Sequence, residues 1–220
     1  WQPACDRARS GADPVRFWTD NFEAIQVADG QATATGYYEP EIAGSRDRRS
    51  GYETPIWARP DDLVEVDLGL FSDDLKGKKI RGKVSGRNFV PYDDRAEIDA
   101  SGLNGRSRIL AWAADPIELF FLQIQGSGRL RLPDGQIMRI GYDSQNGRDY
   151  VGIGKLMLDR GLVPPGGASM QGIMSWLRAN PEQGRAIMEE NKSYVFFREI
   201  GNAPIGAMGL PVTGRASAAV

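Results

Sequence analysis

Apolar positions along the chain fall into short blocks of two kinds, and no single period runs through it. Alternating or brief continuous runs at 31–38, 52–58, 108–113 and 193–198 predict strands. Residues 129–132 and 136–140 flank Pro133-Asp134-Gly135, which predicts a hairpin around a tight turn. Helical spacing appears at 13–22, where Asp13 is the cap, Pro14 the first helical residue, and Val15, Phe17, Trp18 and Phe22 the apolar face. It returns at 150–160, 169–178 and 181–190. In the second of these Met170, Ile173, Met174 and Leu177 form an i, i+3, i+4, i+7 stripe typical of a packed helix. Gly161 closes the first, and Asn180-Pro181 separates the second from the third.

Asp115-Pro116-Ile117-Glu118 combines a cap, a first-turn proline and a capping-box glutamate, so one or two helical turns are expected from Asp115. The run 119–124 is nearly all apolar and reads as buried, with Gln125-Gly126-Ser127-Gly128 emerging at its end. Residues 44–51 and the Lys-, Asp- and Gly-rich stretch 69–86 read as solvated loop or hairpin. The fold class expected is mainly β with several helices, the helices clustered near 150–190.

Composition removes several kinds of chemistry. Lys and Arg total 27 against 29 Asp and Glu, a net charge of -2, so no general field favours a nucleic acid or an anionic membrane. With no His and only Cys5, neither a Ser-His-Asp arrangement nor a usual zinc site can be assembled, and no metal or cofactor is implied. No apolar run reaches the roughly 20 residues of a membrane-spanning helix. The chain opens at Trp1 instead of Met, as a processed or excised piece would.

Aromatic, glycine and amide residues collect at expected strand ends: Gly36-Tyr37-Tyr38, 123–128 and 142–147. Such a mixture suits a sugar groove, because ring faces cover the apolar side of a pyranose while amides and hydroxyls bond its OH groups. Turn chemistry accounts for Asn146-Gly147 and most of the glycines equally well. Gln125-Gly126-Ser127-Gly128 lacks the glycine fingerprint and the Lys-Ser/Thr ending of a phosphate loop. Among so many carboxylates, spacing alone selects no acid/base pair, and Glu39 and Asp143 are not assigned a catalytic role.

The ordered blocks Gly36-Tyr37-Tyr38-Glu39-Pro40, Arg95-Ala96-Glu97-Ile98, 123–128, Ile153-Gly154-Lys155 with Asp159-Arg160-Gly161, Ser169-Met170-Gln171, 191–197 and Gly214-Arg215-Ala216-Ser217 resemble the lytic murein transglycosylase A family. The resemblance implies two domains: an incomplete double-psi β-barrel from residues 1–41 and 193–220, and an inserted β-rich domain at 42–192, with a glycan groove between them. It implies cleavage of the β-1,4 MurNAc-GlcNAc bond of peptidoglycan with formation of a 1,6-anhydroMurNAc end. The alternative is a non-catalytic glycan-binding module. Groove residues carried over are Thr35, Tyr37, Tyr38, Gln125, Ser127 and Gly128. Tyr194 and Phe196 are divided between core and groove. The family's single acid/base aspartate lies in a segment resembling Asp-x-Gly-Gly-Ala-Ile after the Gly-Arg-Ala-Ser block, so no catalytic residue is expected before Val220. Peptidoglycan glycan strands as partner imply the periplasm, and leave room for outer-membrane anchoring through a segment upstream of Trp1.

Overall fold

The structure, a computed structural model, describes residues 2–11, 13–23, 25, 26, 29 and 39–201. The expected strand at 31–38, with Thr35, Tyr37 and Tyr38, and the block at 214–217 lie outside the described residues. The chain divides into two compact units at Tyr38/Glu39. The first holds α1 (Gln2–Arg9) and α2 (Pro14–Asn21). Helix α2 starts as its cap chemistry dictates, with Asp13 accepting from the Arg16 amide at 2.9 Å. The rings of Phe17, Trp18 and Phe22 gather on one another at 4.6–5.7 Å. Helix α1 has no apolar face to announce it and buries no residue.

The second unit runs β1 (Glu41–Ser45), β2 (Thr54–Trp57), β3 (Val64–Asp67), β4 (Lys79–Ser85), β5 (Asn88–Pro91), α3 (Arg95–Ser101), β6 (Ile109–Ala113), α4 (Pro116–Gln125), β7 (Ser127–Arg131), β8 (Ile137–Gln145), α5 (Ile153–Asp159), α6 (Met170–Ala179), α7 (Pro181–Glu189) and β9 (Val195–Glu199). Six strands form one sheet in the order β2-β6-β1-β7-β8-β9, and β3-β4-β5 form a separate antiparallel meander. Within the large sheet only β1 and β7 pair in parallel, Ile42 opposite Leu130. The sheet curls until its edges touch at a single parallel bridge, Ala58 to Phe197, without closing into a barrel among the described residues. Ile42, Ile56, Leu130, Ile140 and Phe197 fill its concave side, capped by Leu119 and Leu122 of α4. The fold is mainly β, as expected. Strands from both sides of the expected boundary at 192/193 share this sheet, since β9 pairs with β8.

Two local expectations are corrected. Helix α4 continues through 119–124 to Gln125, beyond the one or two turns expected, and Ile124 on its outer face is 38% exposed. Helix α5 begins only at Ile153, after Gly152 as its cap residue, so Tyr150 is an exposed loop residue. The 69–86 stretch agrees with the hairpin-or-loop reading: β4 pairs antiparallel with β3 and β5, and short 3-10 turns at Leu68–Leu70 and Asp73–Leu75 occupy the loop. The stripe on α6 packs as read, Ile173 and Leu177 joining Phe120, Ile153, Met157 and Ile187 in a helical core. Tyr194 and Phe196 are both core residues, packed with Trp57, Leu63, Tyr92 and Ile98.

Candidate functional site

The junction of α4 and β7 carries the sequence block at 123–128. Asp115 caps α4 through bonds from the Ile117 and Glu118 amides at 2.7 and 3.3 Å, and Pro116 supplies the first turn. At the other end Gly126 takes a left-handed φ of 79°, which turns the chain from helix into strand within one residue. Gln125 is thereby left exposed and Ser127 half-buried at the start of β7. Ser127 lies opposite Gly141, so Tyr142 follows immediately on the neighbouring strand, 44% exposed. Tyr150 is 58% exposed and borders a small cavity of about 320 Å³ with Ile124, Gln123 and Asn191. Tyrosine faces, an amide and a hydroxyl thus stand around one helix end.

Gly128 is buried, and a Cβ there would fall 2.7 Å from Leu122 Cδ1 and 2.8 Å from the Pro40 carbonyl. Its missing side chain lets β7 approach α4 and the residues leading into β1. The Arg129 amide donates to the same Pro40 carbonyl at 2.8 Å, which ties the end of the Gly36-Pro40 block to this strand. Glu39 is held by Arg139, 3.2 Å from both carboxylate oxygens, with Arg129 at 3.8 Å. Those ion pairs give it a structural role. Asn146, in the amide-rich stretch 142–147, is fully buried: it donates to the Asp93 and Lys192 carbonyls and accepts from the Tyr194 and Arg148 amides.

Behind the helix end lies Arg95, 4% exposed at the start of α3. Its guanidinium donates to the carbonyls of Asn191 (3.0 Å) and Ser193 (2.7 Å) and to Gln123 Oε1 (2.7 Å), between the rings of Phe120 and Tyr194 at 4.7 and 4.9 Å. Gln123 therefore points inward, holding Arg95, while Gln125 points out. Arg95 and Gln123 also border a larger cavity of about 580 Å³ between β2 and helices α3, α4, α6 and α7. Asp99, one helical turn on from Arg95, lines that cavity. Burial among apolar walls pushes its carboxyl up to about 6, only partly offset by the Arg95 charge. By surface area the residue remains exposed, so the carboxyl is also open to solvent.

Of the sequence-derived groove residues, the structure brings Gln125, Ser127 and Gly128 to one junction. Sequence reasoning passed over Tyr150, read as helical, and Asp99, whose position depends on three separate helices. Among the described residues no group of three His, Cys, Asp or Glu side chains is placed to hold a metal ion, and no helix is long and apolar enough to cross a membrane.

Taken together these features define a mainly β protein with an aromatic-edged polar face at a helix-strand junction. The chain belongs to the MltA family: residues 33–198 match the model of the MltA specific insert domain. It is 33% identical over 218 residues to membrane-bound lytic murein transglycosylase A of Escherichia coli (strain K12), covering 96% of this chain and 52% of that protein. The chain thus spans about half the length of the curated relatives it matches. A crystal structure of MltA from Neisseria gonorrhoeae superposes with a TM-score of 0.77 at 35% identity, covering 86% of this chain and 55% of that one. The crystal structure of E. coli MltA with bound chitohexaose gives a TM-score of 0.64 at 29% identity, covering 87% and 51%.

Proposed function

We propose that the protein is a lytic transglycosylase of peptidoglycan and that this chain supplies part of its glycan-binding surface. The observation that carries the reading is the likeness, across most of the chain, to an MltA structure that holds a hexameric amino-sugar chain. The exposed junction of Gln125, Ser127, Tyr142 and Tyr150 supports it, because it offers rings and neutral hydrogen-bonding groups without a concentration of charge. The substrate-binding set proposed also includes Thr35, Tyr37 and Tyr38, which lie outside the described residues.

The reaction is cleavage of the β-1,4 bond between MurNAc and GlcNAc. One carboxyl protonates the leaving oxygen and then takes the proton of the muramoyl C6 hydroxyl as that oxygen closes on C1, giving a 1,6-anhydro end. No carboxyl in residues 1–220 is assigned this role. Asp99 has the raised pKa of an acid, yet it faces the apolar-walled cavity between the helices and not the exposed junction. The proposal includes the two-part layout, residues 1–41 and 193–220 contributing to a barrel domain and 42–192 to the insert. It also places the protein in the periplasm, where its substrate lies.

Digestion of purified sacculi followed by mass spectrometry tests the reading. The whole protein should release anhydromuropeptides, and residues 1–220 alone should release none. Reducing-end muropeptides from the whole protein would show a hydrolase instead.

A further inference from the structure

The β3-β4-β5 meander turns its faces the unusual way round. An antiparallel sheet packed on a protein body commonly puts its apolar residues inward and its polar residues to water. Strand register here places Glu65, Arg81 and Lys83 on one face and Val64, Val66, Ile80, Val84, Phe89 and Pro91 on the other. The charged face is the one that meets the body. Arg81 lies against Gly147, where an added Cβ would fall 2.8 Å from the Arg81 Cβ, and it pairs with Glu65 at 2.6 Å, while Lys83 binds Asp93. The apolar face is left to solvent. Val64, Ile80, Val84 and Phe89 are exposed, Val84 by 66%, and none of the six joins a core cluster of the described residues. Phe89 lies across Gly82, its Cζ 2.8 Å from where a Cβ would stand, so the gap at that glycine is filled from within the sheet.

Leu70 and Phe71, in the loop beyond Val66 and Ile80, are 84% and 76% exposed and extend this surface to roughly 600 Å² of apolar area, the upper end of what a lone soluble protein displays. The cations around it are largely spent: Lys76 binds Asp73, Lys79 and Arg81 bind Glu65, and Lys83 binds Asp93. Little is left to hold an anionic lipid surface. The rest of the chain is led away from the meander. Glu39 and Ile200, near the two ends of this unit's described residues, both bind Arg139, whereas the meander joins the body at Asn146 and Gly147, roughly 20 Å further along β8. An uncharged face complements itself across a two-fold axis, and two copies laid together would remove about 1,200 Å² from water, the lower end for a specific interface.

We propose that the protein pairs with a second copy of itself through the apolar face of the meander, in a weak two-fold dimer. The pairing does not rest on the glycan reading, since the α4-β7 junction contributes no residue to this face.

Sedimentation velocity of the full 220-residue chain and of the whole protein tests the assignment, over about 5–200 µM, the range in which an interface of this size associates. Both should pass from monomer to dimer as concentration rises. Val84→Arg sets an unpaired charge in the pairing face and should weaken the dimer tenfold or more. Ser85→Arg, which sends the same charge to the opposite face from the next position, should leave the dimer unchanged, with both variants folded as the parent by circular dichroism. A monomer throughout that range, or a dimer that Val84→Arg leaves intact, would overturn the proposal. So would a dimer of the 220-residue chain that the whole protein does not form, because the remainder of the protein would then cover the face. Cosedimentation of a monomeric parent with phosphatidylcholine vesicles, lost in Val84→Arg, would assign the face to a membrane and overturn the pairing.

Discussion

Arg95 is the residue whose removal should cost the fold most for the fewest atoms. Arg95→Met keeps the apolar stem between Phe120 and Tyr194 and strands three acceptors: the Asn191 and Ser193 carbonyls and Gln123 Oε1. A buried acceptor left without a donor costs about 1–3 kcal/mol, so the gross penalty is about 3–9 kcal/mol. Two effects reduce it. Burial holds the Arg95 pKa below its ordinary value, the mark of a charge that was costly to desolvate and whose removal returns part of that cost. The cavities on either side also let water reach the stranded carbonyls. A net loss of about 3–5 kcal/mol remains, a fall in Tm of roughly 6–20 °C for a chain of this length. Arg95→Lys keeps the charge but not the planar fork that serves three acceptors at once, so it should fall between. Urea unfolding followed by tryptophan fluorescence gives both values. A loss under about 1 kcal/mol for Arg95→Met, or equal damage from the two substitutions, would refute the claim that the three-way bonding of Arg95 joins α3, α4 and the approach to β9.

Gly128→Ala forces a methyl against Leu122 and the Pro40 carbonyl and should destabilise by about 1–3 kcal/mol in the same assay. Tyr142→Ala and Tyr150→Ala remove exposed rings; stability should change by less than about 0.5 kcal/mol while chitohexaose affinity, read by calorimetry, drops about tenfold. Asp99 gives a pH signature of definite sign. Its folded pKa, pushed up to about 6 by burial, exceeds the unfolded value of about 3.9, so the folded state binds the proton more tightly and loses stability as pH rises between those values. The Tm of Asp99→Asn minus that of the parent should therefore grow from about pH 4 to about pH 6 and level off above it; a flat difference would contradict the raised pKa of that carboxyl. Asp93 behaves oppositely: burial raises its pKa but bonds from Lys83 and Arg106 outweigh that and hold it low, so its contribution is present above about pH 4 and lost in stronger acid.

What could be read from the sequence was local chemistry. Asp13-Pro14 and Asp115-Pro116 announced α2 and α4 because cap and proline act within one turn, and Pro133-Asp134-Gly135 announced the β7-β8 hairpin for the same reason. The parallel pairing of β1 with β7 and the return of β9 to β8 join residues far apart in the chain, and no short pattern encodes them. Tyr150 was read as helical from a spacing that continues past it, whereas Gly152 delays the helix to Ile153. Gln125 and Ser127 came from the family resemblance, while the left-handed Gly126 that joins α4 to β7 was not read from the sequence. The Arg95-Gln123 bond was not, since both residues resemble ordinary polar surface until packing buries them. Asp99 likewise carries no local sign of the cavity it faces.

The most direct test of the central claim is a chitohexaose titration of residues 1–220 followed by backbone amide resonances. Glycan binding at the α4-β7 junction should move Gln125, Gly126, Ser127, Tyr142 and Tyr150 together and leave the β3-β4-β5 meander still. Shifts confined to the meander, or none at about millimolar sugar, would contradict the assignment of a glycan surface to this chain.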